Sequence, residues 1–402
     1  VINNGLSRLA VTYSASTANA LGSTIASHEV AAGATFVRQL NFTHLNTAIR
    51  ILTVPTAKVA AVEAALRTQN GVQSVALTGG RRSPSSASAD WTNDPYFNGF
   101  QQTVATAATG NVPPAPTYHV GPYEENDMVP GQWDMHAIGL EKAFGYSSAA
   151  TNTLGVTVPA MGSTAIKIAV IDTGEDATHP ELQGKIGYQK CYITNESGVQ
   201  STGNFTVDED GHGTDVSGIA AEAIGNSLGF AGAGGNSALW AYRVFPTPDD
   251  NCANEMTTDP QCEADTSDIA AAVNDAVAQH VNVISMSLGG PTCGSGTGYA
   301  PNGDSDPTEG MAVQNAISAG IIVVAAAGNS GGSGLASPAC DTDVIAVGAT
   351  ALDDGYPNKS GVSLGGTPTA PIEYVASYSQ YGSPDSPGSA SAWGIVAPGG
   401  DP

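Results

Sequence analysis

The chain is short of charge, and of positive charge above all. Of its 402 residues only 12% are Asp, Glu, Lys or Arg, and 13 bases face 37 acids. The formal charge of −24 argues against nucleic-acid and anionic-membrane partners. It suits cations, calcium among them, or a solvated acidic surface that keeps an exported protein in solution. Aromatic residues make up 6% while glycines number 49, which fits a compact protein rich in tight turns rather than a disordered one. The longest apolar run, AGIIVVAAAG, falls far short of a membrane span. The chain opens on Val1 rather than Met and shows no signal peptide, so its start is expected to be processed or cut.

Cysteine is scarce and one-sided. Cys191, Cys252, Cys262, Cys293 and Cys340 all lie in the later part of the chain. Cys252 and Cys262 close a short polar loop and invite a local disulfide, and Cys293 and Cys340 could pair across two strand ends. Spacing fixes neither pairing, and the fifth cysteine needs a partner or stays free. With no CxxC and no Cys/His metal spacing, oxidising export is the expected context.

What is present falls into three parts. Residues 1–80 alternate strand and helix patterns: RLAVTY, an Ala-rich helix over Thr17 to Glu29, TFVRQL, AIRILTV, a helix AKVAAVEAALRTQ capped by Thr56, and VQSVALT. Val59, Val62, Ala65 and Leu66 share one face of that second helix. The order β-α-β-β-α-β predicts a small α+β, ferredoxin-like unit. From Gly79 the composition turns to GGRRSPSSASAD, so residues 81–130 read as linker and irregular segment, with a dibasic Arg81-Arg82. Over 131–402 the apolar strands IKIAVID, ALWAYRVF, VNVISMSLG, IIVVAAAG and DVIAVGAT alternate with the helices HGTDVSGIAAEA, TSDIAAAVNDAVAQH and PTEGMAVQNAISAG. That rhythm predicts an α/β domain with a mostly parallel sheet covered on both faces. Chemistry in such sheets collects at the carboxyl ends of strands, which singles out Asp172, Ser287 and Asn329.

Asp172-Thr173-Gly174 matches the aspartic-protease triplet, but that mechanism needs two carboxylates sharing a proton, and no second triplet exists. GNSGG, Gly328 to Gly332, fits the nucleophile elbow of α/β-hydrolases. Yet a Gly/Ser/Pro stretch follows it instead of a helix, and His280 is the last histidine. GNSGG also fits a chymotrypsin-like serine loop, which the alternating β/α pattern excludes. The segment DEDGHGTDVSG puts His212 at a helix start, beyond a buried strand ending in Asp172. A carboxylate holding one imidazole nitrogen frees the other as a general base, the alternative being a buried salt bridge.

VIDTG with HPEL, then GHGTDVSG, SMSLGG, AAAGNS and VAPGG stand in an order that resembles the subtilisin-like serine proteases. Residues 1–80 also resemble that family's inhibitory propeptide. The resemblance implies a three-layer α/β subtilisin-like domain and a secreted, monomeric serine endopeptidase made as a zymogen. It would act on protein or peptide substrates through an acyl-enzyme. Asp172 would orient His212 as general base, and Asn329 would stabilise the tetrahedral intermediate. Ser287, Leu288 and Gly289 would pair with an extended substrate. Ala325, Ala326, Ala327 and Gly328 would wall a roomy pocket for an apolar side chain. A structural calcium would take Gln132, Glu181, Ile224, Asn226, Leu228 and Phe230. Three departures stand out: Glu181 where Asp is usual, a calcium loop one residue longer, and Asp215 in place of the second His of HGTH. The family's Gly-Thr-Ser-Met-Ala segment is absent up to Pro402, so the nucleophile is expected beyond this chain, which by itself is expected to be inactive. The alternative is a non-catalytic pseudoprotease or propeptide-type binding protein.

Overall fold

Strand alternation sets the first layer. In the strand β1 (Leu6–Ser14), Leu9, Val11 and Tyr13 are buried on one side and Arg8, Ala10 and Thr12 on the other, so both faces are covered. The computed structural model describes residues 6–20, 22–78, 80–82, 133–138, 162–194, 200–203, 207–224, 230–246, 263–293, 306–353, 355, 361–367, 371–382 and 394–400. β1, β2 (Thr35–Phe42), β3 (Thr47–Pro55) and β4 (Val72–Leu77) form an antiparallel sheet in the order β2-β3-β1-β4. The Ala-rich helix is split into α1 (Ala15–Ala20) and α2 (Gly22–Ala32). Together with α3 (Val59–Arg67), these give the β-α-β-β-α-β order read from the sequence. Thr56 is not the cap expected of it. It begins a 3-10 turn, bonds Ser7 Oγ at 2.9 Å, and leaves α3 to start without a side-chain cap.

The sheet's helix side is an apolar core of Leu9, Val11, Leu52, Val54, Val62 and Leu66. The linker reading is corrected at its first residues: β5 (Gly80–Arg82) pairs antiparallel with β10 (Glu263–Asp265), far along the chain. A backbone with open hydrogen-bonding groups takes a strand partner whatever its composition, and polar GRR hid this one.

The second layer system is built on the five foreseen strands. These are β6 (Lys167–Asp172), β9 (Ala238–Arg243), β11 (Val283–Met286), β12 (Ile322–Ala326) and β14 (Ile345–Asp353). They belong to a 9-stranded sheet in which β6 lies between β9 and β11, all parallel. β7 (Ile186–Thr194), β8 (Gln200–Gly203), β15 (Ile372–Val375) and β17 (Ile395–Pro398) complete it, with β8 and β15 antiparallel to their neighbours. A short pair, β13 (Gly332–Ser333) and β16 (Gln380–Tyr381), lies apart from it. Helices α5 (His212–Ala221), α6 (Thr266–Ala278) and α7 (Pro307–Ser318) match the expected ones, and a short α4 (Trp133–Ala137) precedes them. Asp265 caps α6 through Ser267 N at 2.8 Å, and Asp306 caps α7 through Thr308 N at 2.8 Å, with Pro307 opening that helix. Cys293 and Cys340 form a disulfide, while Cys191 is buried and free; Cys252 and Cys262 lie outside the described residues.

The two units share a core. Ala10, Leu40, Phe42, Ile49 and Ile51 from the far face of the N-terminal sheet pack with Val273, Val277, Val313 and Ala316 of α6 and α7. At the edge of this seam Arg8 is fully buried. Its Nη1 lies 2.7 Å from Ser267 Oγ, 3.2 Å from Asp265 Oδ1 and 3.7 Å from Asp268 Oδ1, and its Nη2 bonds the Thr194 hydroxyl. Arg38 meets Asp268 at 2.9 Å and the Ser267 carbonyl. Deleting one member of such a cluster strands the other charges in an apolar setting, so Arg8→Ala is expected to lower the chain's unfolding free energy by about 3–5 kcal/mol. Denaturant titration measures this, and a loss below about 1 kcal/mol contradicts it.

Candidate active site

β6 ends at Asp172, whose side chain is 1% exposed. Its Oδ1 accepts from Thr173 N at 2.7 Å and lies 2.6 Å from His212 Nδ1. Its Oδ2 is buried with no hydrogen-bond partner among the described residues. His212 opens α5, which must approach the 172–174 turn closely. A Cβ on Gly213 would run into the Gly174 carbonyl oxygen, and Gly174 itself has φ of +131°. These two contacts give DTG and HGT their shared need for glycine.

Asp208 is the residue that sequence reading passed over, although it stands in the quoted DEDGHGT. Its Oδ1 accepts from Thr173 Oγ1 at 3.0 Å and Gly211 N at 2.9 Å. Its Oδ2 accepts from Thr214 N at 2.9 Å and Thr214 Oγ1 at 2.6 Å. Thr173 Oγ1 in turn accepts from Gly213 N at 2.8 Å. One carboxylate thus clamps the start of α5 to the end of β6, and fixes the imidazole against Asp172. Burial opposes the ionised form, but these hydrogen bonds hold the Asp208 carboxyl below its ordinary range.

Burial by itself would push the His212 imidazole down. The charge of Asp172, its hydrogen bond, and the further charges of Asp210 and Asp208 outweigh that and hold it at about 9. Nδ1 is engaged by Asp172, and Nε2 is bonded to no described residue. Asp215, which also shares α5, is pushed up by burial first, against the opposing charge of His212.

The other expected site residues fall at neighbouring strand ends. Ser287 and Gly289 are half-buried just past β11, and Leu288 between them sinks into the core. Ala325 and Ala327 are likewise core residues, while Ala326 and Gly328 are half-buried. Asn329 follows β12 on an exposed turn, and its side chain is bonded to no described residue. Among the described calcium candidates, Glu181 is buried and its carbonyl accepts from Ala223 N at 3.0 Å, and Ile224 and Phe230 are half-buried. Gln132, Asn226 and Leu228 lie outside the described residues. Burial first, then the charges of Glu181, Asp134 and Asp215, push the nearby Glu222 carboxyl up to about 8. Among the described residues no group of three or more His, Cys, Asp or Glu side chains is gathered that could hold a metal.

The site is therefore an Asp–His pair at the carboxyl end of β6, in a mostly parallel sheet, with one imidazole nitrogen held by a carboxylate. The subtilase-family profile matches residues 163–401, more than half of the chain, and the protein belongs to the subtilase family of serine peptidases. It is 36% identical over 201 residues to thermitase of Thermoactinomyces vulgaris, covering 50% of this chain and 60% of that one. It is 36% identical over 188 residues to subtilisin of Bacillus pumilus, covering 46% of this chain and 56% of that one. The chain thus spans less than two thirds of these relatives. In fold it resembles fervidolysin from Fervidobacterium pennivorans, with TM-score 0.56 and 20% identity over 98% of this chain and 47% of that one. It also resembles the epidermin leader peptide processing protease of Staphylococcus aureus, with TM-score 0.53 and 16% identity over 98% and 75%.

Beneath the pair lies Glu175, 2% exposed, its carboxylate accepting from Ser217 Oγ. Burial pushes it up to about 7; the Ser217 hydrogen bond opposes this, and the charges of Asp208 and Asp172 add to it. An acid raised in the folded state destabilises that state as pH climbs from its ordinary value of about 4.5 to about 7, and by a constant amount beyond. Glu175→Gln is therefore expected to gain on the native protein across that window, by about 3 kcal/mol at most. Thermal unfolding at pH 4 and pH 8 tests this, and a difference independent of pH rejects it.

Proposed function

We propose that the protein is a secreted serine endopeptidase held by its own N-terminal domain, residues 1–80, with residues 131–402 forming most of the catalytic domain. The observation that carries the reading is the 2.6 Å contact between His212 Nδ1 and Asp172 Oδ1 at a strand end. In the reaction, His212 Nε2 takes the proton of a serine hydroxyl contributed beyond Pro402, and that oxygen adds to the scissile carbonyl. The oxyanion accepts from the Asn329 amide, an interaction worth about 3–4 kcal/mol because the charge exists only in the transition state. His212 returns the proton to the leaving amine, and water later cleaves the acyl-enzyme by the same route. Ser287 to Gly289 align the substrate backbone, and Ala326 and Gly328 leave room for an apolar side chain before the cut.

Support for the inhibitor role comes from β5, which occupies β10 as an added strand, and from the buried seam behind it. The disulfide supports export to an oxidising compartment, and no helix among the described residues is long and apolar enough to cross a membrane. A fluorophosphonate reagent applied to the full-length gene product should label one serine C-terminal to residue 402 and abolish peptidase activity. Labelling of no serine, in a protein that binds peptides without cutting them, would instead establish the non-catalytic reading. In the active enzyme the acid limb of kcat/KM should lie near 9, and Asp172→Asn should move it down toward the ordinary value of about 6.5. A limb that stays in place contradicts the orienting role of Asp172.

We also propose a structural calcium held by Gln132, Glu181, Asn226 and the carbonyls of Ile224, Leu228 and Phe230. These are hard oxygen donors of the kind calcium takes. Calcium should raise Tm, EDTA should lower it, and Glu181→Gln should remove the difference. A Tm indifferent to EDTA rejects the site.

A further inference from the structure

The turn that carries Asn329 has little of its own to hold it. Gly328, Gly331, Gly332 and Gly334 all have positive φ, so the backbone of this segment is loosely specified by its residues. Backbone bonds tie it to the 378–381 segment, Gly331 N to Tyr378 O at 2.7 Å and Gly334 N to Tyr381 O at 2.9 Å, and a side chain of that segment adds to them. Gln380, 5% exposed, opens β16 and faces the turn from below. Its Oε1 accepts from Ser330 N at 3.4 Å, and its Nε2 donates to Gly334 O at 2.7 Å and to Thr292 Oγ1 at 3.2 Å. Its backbone N donates to Gly328 O at 2.9 Å. A Cβ on Gly328 would strike the Gln380 amide, so that residue must be glycine for the amide to sit there. Thr292 lies in the segment that continues from Ser287 to Gly289, next to Cys293, which is tied to Cys340.

We propose that Gln380 is a positioning residue for Asn329: its side-chain amide ties the stretch that follows Asn329, at Ser330 and Gly334, to Thr292 in the segment continuing from the substrate-aligning edge. An amide suits the task because it presents an acceptor oxygen and two N–H donors, and it accepts once and donates twice here. A carboxylate of the same shape keeps the acceptor and loses the donors. The inference rests on the reading of Asn329 as the oxyanion donor. A donor matters only when it lies within hydrogen-bond reach of the developing charge, so a small displacement of the turn lowers kcat before it affects binding.

The test uses the full-length enzyme and its kinetics on a peptide substrate. Gln380→Ala and Gln380→Glu are each expected to lower kcat by about tenfold with KM within about twofold of native. Asn329→Ala is expected to lower kcat by about 10²–10³-fold. In the Asn329→Ala background, either Gln380 substitution should change kcat by less than about twofold, because the group it positions is gone. Gln380→Glu is the variant of choice should the alanine variant fold poorly, since it preserves shape, and Tm is recorded for both. Unchanged kcat in both Gln380 variants, or an equal loss in both backgrounds, overturns the positioning role while leaving Asn329 intact. An inactive native protein, or an Asn329→Ala enzyme with native kcat, overturns the underlying reading and this inference with it.

Discussion

Helix α6 is covered on both sides, and much of the molecule is arranged around that fact. Its sequence, TSDIAAAVNDAVA, is buried at nearly every position, as a helix enclosed between two sheets must be. One side meets the parallel sheet and the other meets the N-terminal sheet, through Ala10, Phe42, Ile49 and Ile51. Alanine at Ala270, Ala271 and Ala272 allows both layers to come close. Its polar groups lie at its start, in Thr266, Ser267 and Asp268, and at the half-buried Asn274 and Asp275 further on. At the start Asp265 caps it, and both Asp265 and Asp268 take an arginine from the other unit. Removing the N-terminal sheet would expose an apolar helix and leave two acids at its head.

Much of this was legible in the residues. The five apolar strands and three helices after residue 131 declared themselves because parallel strands are buried on both faces and read as unbroken apolar runs. The N-terminal strands carry a further signal. LAVTY and AIRILTV are apolar on both faces, which a sheet covered by helices on one side alone does not need. That surplus is the docking face. What escaped notice were the remaining strands of the large sheet, β7, β8, β15 and β17, and short polar strands elsewhere. GRR and EAD have no apolar pattern to betray them, and their pairing depends on two segments brought together by the rest of the fold.

The candidate site divides along the same line. Asp172 and His212 stand out because each lies in a contiguous motif whose glycines are explained by close backbone approach. Asp208 stood in the same motif, yet its part appears only once Thr173 and Thr214 are seen around it. Glu175 follows Gly174 directly, but nothing in the sequence tells that its carboxyl is buried against Ser217 rather than solvated. Gln380 is 50 residues from the turn that it supports, and no local pattern links them. Residues that act through other residues are written in three-dimensional contacts, and a linear reading finds them last.

The strand β10 runs into α6 without an intervening residue, since Asp265 ends one and Thr266 begins the other. The segment Gly80–Arg82 and the N-terminal sheet therefore hold two parts of a single rigid piece. A cut in the chain beyond Arg82 would alter connectivity and leave in place the N-terminal unit's packing on α6 and α7 and its pairing with β10. What such a cut removes is the high effective concentration that tethering provides, so the unit passes from an intramolecular partner to one whose occupancy depends on dilution.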